Sequence, residues 1–428
     1  MNGKKAVATP MVDRTFTLDE VDLCNLDRFA RNEGWAQFDT LRHQAPVRWN
    51  PEPDGRGFWS VTRHVDIAAV DRDATTFTST KFVNLEDVED DYIAIRRSIL
   101  ESDGTRHIAL RKLIQRDLSG RALTKYRDFL RDLSTVTVDE ALRNSEFDFV
   151  EKVSADLPIQ VLARMLDVPN SMNRQLITWG NQIITAADPD YAKPDSEIAA
   201  SPKYKHLPFR SPVSMEVFEY GRALAAERRG GDGEDLVSRI INKIPEDGQA
   251  LNDNEFDNYF LLLVVAGNES TRHAISHAMH ALITHPDQFR WLQENPDQMG
   301  PAIEELLRWA SPVYHFRRTA TRDVELGGQQ IREGDKVVMW FASGNRDESV
   351  FRNPYDLDLT RTPNDHMTFG KGSPHFCMGS ALARMEITAL FEELVTRIKS
   401  IEIIGEVTRV RSNFINGIKK FPVRVVPT

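Results

Sequence analysis

A mainly α-helical chain with small β-sheets, an α+β fold, is what this sequence predicts, and three observations carry the expectation. Apolar residues recur at helical spacing from Thr105 to about Lys243 and again from Asn252 to Trp309. Short alternating segments bounded by turn residues stand before and after these stretches. No Gly/Ser linker, low-complexity tract or repeat period divides the chain, so residues 1–428 are expected to form a single domain.

The first strand-like segments are Pro46-Val-Arg-Trp-Asn and Phe58-Trp-Ser-Val-Thr, joined by the turn-rich Pro51-Glu-Pro-Asp-Gly-Arg-Gly. A second strand-rich patch holds Val324-Glu-Leu, the turn Gly327-Gly328 and Lys336-Val-Val-Met-Trp, and a last hairpin is expected between Val407 and Val426. Between the patches, Asn252 to Thr284 reads as one long helix, opened by an Asn252/Glu255 capping box and closed at His285-Pro286. At 1.5 Å per residue it would span about 45–50 Å. The stretch Asp188 to Pro212 carries Pro189, Pro194, Pro202, Pro208 and Pro212 with little periodicity, which suits a lid or an ordinary surface insertion. The acidic run Glu86 to Asp91 reads as a solvated face.

Composition narrows the function. Hydrophobic residues are 41% and charged residues 28%, so a large core can form without disulfides. A formal net charge of −10 argues against nucleic-acid binding, which needs a basic face. Cys24 and Cys377 are the only cysteines, which fits a reducing compartment. Met1 to Thr17 hold no apolar stretch of signal or membrane-spanning length, so a cytoplasmic protein without a membrane anchor is expected.

Chemistry concentrates at Phe369-Gly-Lys-Gly-Ser-Pro-His-Phe-Cys-Met-Gly379, where glycines surround one cysteine just before the periodic segment Ala381 to Ile398. A thiolate there would sit at a helix N-terminus, whose dipole and N–H groups stabilise negative sulfur. Glycines admit a flat macrocycle, and His375 is placed to bond a carboxylate on its edge. This string resembles the cysteine-ligand loop of the haem-thiolate monooxygenases, the cytochromes P-450. The spacing from Phe369 to Cys377 is one residue longer than usual, with the insertion in Ser373-Pro374.

Further motifs match in family order and extend the resemblance over nearly the whole chain. Glu305-Leu-Leu-Arg308 resembles the family's Glu-x-x-Arg, and Arg361 its meander arginine. Alone, such a pair is a surface contact worth about 0.2–0.5 kcal/mol. Asp103-Gly-Thr-Arg-His107-Ile-Ala-Leu-Arg111 resembles the segment whose histidine and arginine bind haem propionates, with both side chains on one helix face. Arg318 matches another propionate-binding arginine. Ala266-Gly-Asn-Glu-Ser-Thr271 resembles the oxygen-side motif, with Glu269 as acid and Ser270 where threonine is usual.

The resemblance implies a fold with a long central helix over haem b and Cys377 as the metal ligand. Cofactor-binding residues would be His107, Arg111, Arg318, His375, Cys377, Ala266, Gly267, Phe369, Gly370 and Gly379. Glu269 and Ser270 would be catalytic through proton delivery, and Glu305, Arg308 and Arg361 would form a structural network. Substrate would lie against Leu262, Val265, Val313, Phe316, Phe414 and Ile415, a lining that binds by apolar area. The expected reaction is insertion of one atom of O2 into an apolar small molecule such as a steroid, terpenoid or other lipid, by a monomeric enzyme. Electrons would come from NAD(P)H through ferredoxin reductase and ferredoxin, docking near Arg106, Lys112, Arg116 and Lys371. The alternatives are a peroxide-driven peroxygenase and a non-catalytic haem sensor or carrier.

Overall fold

In the computed structural model of the chain, residues 14–53, 55–185, 187–191 and 204–428 are described. Pro194 and Pro202 of the proposed lid, and most of Met1 to Thr17, lie outside them.

Nine helices frame the site: α1 (Gly104–Lys112), α2 (Arg127–Leu142), α3 (Asp156–Leu166), α4 (Asn173–Ile184), α5 (Val213–Arg228), α6 (Asp253–Ala266), α7 (Glu269–Thr284), α8 (Met299–Ala310) and α9 (Ser380–Arg397). Their apolar faces form the principal core, in which Leu162, Leu166, Phe260, Val264, Leu282, Leu306, Leu390 and Phe391 meet. The predicted helical stretch before Lys243 contains two departures, strand β4 (Glu146–Asp148) and a π-turn over Val150–Ser154.

The long pattern from Asn252 to Thr284 is interrupted at Gly267-Asn268, so two helices replace one unbroken rod. Its start is as read: Asn252 and Glu255 form a capping box. The break has a steric basis. A Cβ on residue 267 would stand 2.9 Å from the Leu263 carbonyl oxygen and 3.1 Å from Leu162, so only glycine lets the two helices meet this closely.

The main sheet has five strands in the order β1 (Val47–Asn50), β2 (Phe58–Val61), β8 (Lys336–Trp340), β5 (His315–Ala320) and β3 (Phe77–Thr78). The first hairpin is antiparallel, with Val47 opposite Val61, and β2 runs parallel to β8. Strands β6 (Val324–Leu326) and β7 (Gln329–Ile331) flank the Gly327-Gly328 turn, and both glycines have positive φ. The expected last hairpin divides between two sheets. Strand β10 (Thr408–Arg409) pairs with β11 (Ile418–Lys420), while β12 (Pro422–Pro427) lies between β4 and β9 (Ile398–Ile403).

The acidic run divides. Glu86 pairs with Arg96 and with Arg210 (3.2 Å), and Asp87 with Lys336 (3.1 Å) and Arg56 (3.3 Å), so these two half-buried carboxylates tie the loop to segment 204–210 and to the sheet. Glu89, Asp90 and Asp91 are exposed, as a solvated face requires, with Glu89 2.9 Å from Lys205. Periodicity could not show these pairings, because the partners are far apart in sequence.

Candidate functional site

The cysteine loop is shaped by its own backbone. Gly370 and Gly372 adopt φ of 73° and 68°, a region costly to side chains with a Cβ. The Cys377 N–H donates to the Phe369 carbonyl at 2.9 Å, closing the loop. At the start of α9, backbone N–H groups of Gly379 and Ser380 donate to the sulfur, and Arg111 and Arg384 add positive potential. Burial nevertheless pushes the thiol pKa up. Cys377 is also exposed by surface area. The two observations agree if the sulfur lies deep in the fold yet opens onto an internal space.

The facing helices show the same pattern. Leu262, Ala266 and Ser270 recur at intervals of four and carry accessible surface, whereas Val264, Val265, Asn268 and Glu269 are buried. A single sulfur donor with one apolar helical stripe suits a metal that brings its other in-plane ligands in a macrocycle. Four cationic or imidazole groups collect at one edge. His107 and His375 stack with ring centroids 4.1 Å apart, Arg111 Nη2 donates to the Phe376 carbonyl at 2.5 Å, and Arg318 lies close enough to act on His375. Burial, with His375 and Arg111 beside it, lowers His107 to about 4. This edge therefore fits an anionic group, and the residues present fit haem with its propionates.

Two acids that the sequence did not single out share this edge. Arg318 donates to Asp71 at 2.9 Å, and His375 Nε2 lies 3.0 Å from Asp103 and 3.1 Å from Ser79 Oγ. Burial raises Asp103, but hydrogen bonds from His375, Thr78 and Ser79 more than offset it and bring the carboxyl to about 2. Asp103 was in view only as the residue that opens the His107 segment. Nothing local linked Asp71 to Arg318, which is far away in sequence.

Glu269 is fully buried. Its Oε2 pairs with Arg272 and lies 3.6 Å from His273 Nε2, and Arg272 also donates to Asn181 of α4 at 2.7 Å. Burial pushes this carboxyl up, and Arg272 and His273 outweigh that, holding it below its usual range. Ser270 Oγ donates to the Ala266 carbonyl at 3.1 Å. Arg272 and His273 were missed, although their spacing of three and four from Glu269 was a readable signal.

Val313, Phe316, Phe414 and Ile415 come together. Val313 bridges Ile415, and the Phe316 and Phe414 rings meet at 5.7 Å. Val265 is buried in the principal helical core, whereas Leu262 packs at its margin and keeps accessible surface on the Ala266 and Ser270 side. His315, beside Phe316 on β5, meets Trp340 at 4.7 Å and the Phe414 ring at 5.5 Å, so it adjoins this cluster as well.

Behind the loop, Glu305 and Arg308 are both fully buried. Arg308 donates twice to Glu305 at 2.7 Å, and Arg361 and Asn364 each donate at 3.1 Å. The basic patch expected near the loop is largely paired. Arg106 binds Asp247 (3.0 Å) and Glu255 (2.7 Å), Lys112 binds Glu246 (2.5 Å), and Lys371 contacts Asp365. These partners lie on segments that local charge counting could not place there. Among the described residues no helix is long and apolar enough to cross a membrane.

Comparison with known proteins extends these observations. A family model described as Cytochrome P450 matches residues 89–403. The chain is 35% identical to a steroid C26-monooxygenase of Rhodococcus jostii, over 99% of this chain and 87% of that protein. It is 34% identical to a methyl-branched lipid omega-hydroxylase of Mycobacterium tuberculosis, over 99% and 97% of the two chains. A Mycobacterium marinum cytochrome P450 solved in complex with pseudoionone superposes with a TM-score of 0.86 at 36% identity, covering 96% of this chain and 100% of that one.

Proposed function

The chain belongs to the cytochrome P450 family and is a haem b monooxygenase, and from that premise we propose that it hydroxylates a steroid or methyl-branched lipid, with Cys377 as the residue that would hold the haem iron. The observation that carries the ligand assignment is the place of Cys377, whose sulfur lies deep at the start of α9 beside the Gly379 and Ser380 N–H groups while the residue keeps accessible surface. The substrate class rests on the apolar cluster of Val313, Phe316, Phe414 and Ile415 and on the activities of the similar proteins.

Bound haem supplies dioxygen activation, and electron density from a thiolate ligand favours O–O cleavage. The chain's own residues do the rest. His107, Arg111, Arg318 and His375 hold the anionic edge of the cofactor, with Asp71 and Asp103 orienting Arg318 and His375. Ala266 would offer its small, accessible side to the cofactor, Gly267 lets α3 approach through Leu162, and Phe369, Gly370 and Gly379 shape the loop around the sulfur. Ser270 Oγ and Glu269 hold and move protons, Ser270 exchanging its bond to the Ala266 carbonyl for one toward the reacting side.

Electrons arrive from NAD(P)H through a reductase and a ferredoxin. Because Arg106, Lys112 and Lys371 already have carboxylate partners, docking there depends less on net charge than the sequence implied. The test is a titration of the purified haem protein with steroids, methyl-branched lipids, unbranched fatty acids and small aromatics, read as a shift in the haem spectrum. It is followed by product analysis with NADH, reductase and ferredoxin. Spectral shifts and hydroxylated product from the first two classes support the reading. Binding confined to the aromatics would overturn it, and turnover with peroxide alone but not with the electron-transfer proteins would favour a peroxygenase.

A further inference from the structure

We propose that His273 is a positioning residue that stages protons for Glu269, an inference that rests on the reading of Glu269 as the acid of the oxygen-side pair. Glu269 has no free path of its own to solvent. It is fully buried in the first turn of α7, and a Cβ on Gly180 of α4 would stand 2.9 Å from its Oε1, so α4 closes that side. Among the described residues, the basic groups paired with its Oε2 are Arg272 and His273. A guanidinium stays protonated at any working pH and cannot pass a proton on. An imidazole can, and His273 stands one helical turn from Glu269, with its Nε2 3.6 Å from Oε2.

The geometry also defines the resting state. Arg272 Nη2 lies 3.3 Å from His273 Nε2, and in the proposed resting tautomer, with the ring proton on Nδ1, Nε2 accepts that bond. Among the described residues, the buried Nδ1 has no hydrogen-bond partner, and the polar contacts of the ring are on its Nε2 side. Burial and Arg272 lower the pKa of His273, in keeping with a neutral resting ring. Gly417 backs the ring: a Cβ there would fall 2.8 Å from both Cε1 and Nε2.

Among the described residues, three elements bring titratable groups toward this pair. On α7 they are Arg272 and, one turn on, His277, whose Nε2 lies 3.1 Å from the Asn416 carbonyl oxygen. From the segment after α4 come Tyr191, which feels Arg272 and Glu269, and Asp188. From β11 comes Lys419, bonded to Asp188 at 2.8 Å and to the largely exposed Asp190 at 2.5 Å. Asp190 is the exposed member of this cluster, while Asp188 is fully buried.

The proton balance is simple. His273 Nε2 takes a proton from water, giving an imidazolium and displacing the bond from Arg272. Its Nε2–H bond then breaks as an O–H bond forms at Glu269 Oε2, leaving a neutral carboxylic acid and the neutral Nδ1–H ring. One proton has moved from solvent to Glu269, and the ring is ready to accept another. The 3.6 Å separation must shorten for the transfer, as catalytic contacts do on substrate binding.

The experiment compares the parent, His273→Gln, Glu269→Gln and the double variant as holoenzymes with ferredoxin and reductase. Product per NADH and turnover are measured from about pH 5 to 8, the range in which imidazoles titrate, in H2O and D2O. His273→Gln keeps a polar side chain but cannot titrate. The expected result is turnover lowered about tenfold or more, a flattened pH dependence, an unchanged substrate-induced spectral shift, and a double variant no slower than Glu269→Gln. Should His273→Gln fail to retain haem, His273→Asn and Gly417→Ala carry the same expectation, the latter by crowding the ring. Parental turnover and pH dependence in the His273 variants, beside an impaired Glu269→Gln, would overturn the role of His273. Parental behaviour of Glu269→Gln itself would instead remove the assignment of Glu269, and this inference with it.

Discussion

Replacing Glu305 by glutamine removes one negative charge from a site that no solvent reaches. Glu305 and Arg308 are fully buried, and the carboxylate also takes bonds from Arg361 and Asn364 at 3.1 Å and from the Asp358 N–H at 3.1 Å. In Glu305→Gln the shape is kept, but two guanidinium groups lose their shared counter-charge. Breaking a buried pair by removing one partner costs about 3–5 kcal/mol, because the remaining charge stays desolvated. At 1.36 kcal/mol per tenfold, that is an increase of about 10²–10³-fold or more in the unfolded population. The chain contains its own control. Asp287 and Arg290 have the same three-residue spacing, at 3.3 Å, on an exposed surface, so Asp287→Asn should cost no more than about 0.5 kcal/mol. Urea unfolding followed by far-UV circular dichroism and by haem absorbance compares the two variants with the parent. Equal losses of stability in Glu305→Gln and Asp287→Asn would show that burial does not set the strength of this network.

Two further outcomes follow from the site and its surroundings. Ser270→Ala should keep haem content and substrate binding while diverting electrons from product to hydrogen peroxide, and Ser270→Thr should stay active and couple at least as well, since the added methyl restricts the rotamer. Product formed per NADH consumed measures both, and parental coupling in Ser270→Ala would exclude the hydroxyl from proton delivery. Acid should destabilise the fold through its buried histidines. Burial lowers His315 to about 4 and His280 to about 3, and His277 falls well below the usual value for the same reason. Each binds its proton more readily when unfolded, so the stability they contribute is full above about pH 6.5 and declines as pH falls toward the folded values. Unfolding midpoints measured between about pH 7 and 4 check this, and His280→Phe or His315→Phe should flatten the slope.

Much of this architecture was readable because it is local. Helical periodicity marked the helices, the capping residues marked the start of α6, and the Gly-rich string marked the loop around Cys377. What was not readable depends on distant partners. Strand β4 is three residues long and finds its place only by pairing with β12, with Phe147 opposite Val423. Gly267 was visible only as part of the oxygen-side motif, and the close approach of Leu162 of α3 that excludes a side chain there comes from a distant segment. The residues proposed to hold the anionic edge were named from the chain, whereas Asp71, which pairs with Arg318, was not, and Asp103 was in view only as the start of the His107 segment. The same limit applies to Glu246, Asp247 and Glu255, which neutralise cations that looked free in the sequence.

The account stands or falls on the sulfur of Cys377, the one donor placed at the start of α9 with N–H groups directed at it. The reduced, carbon-monoxide-bound absorption spectrum of the parent and of Cys377→Ser tests it most directly. The parent should show the red-shifted band of thiolate-ligated haem, and Cys377→Ser should lose that band whether or not it still holds haem. A thiolate band that persists in Cys377→Ser would contradict the assignment and the mechanism built on it.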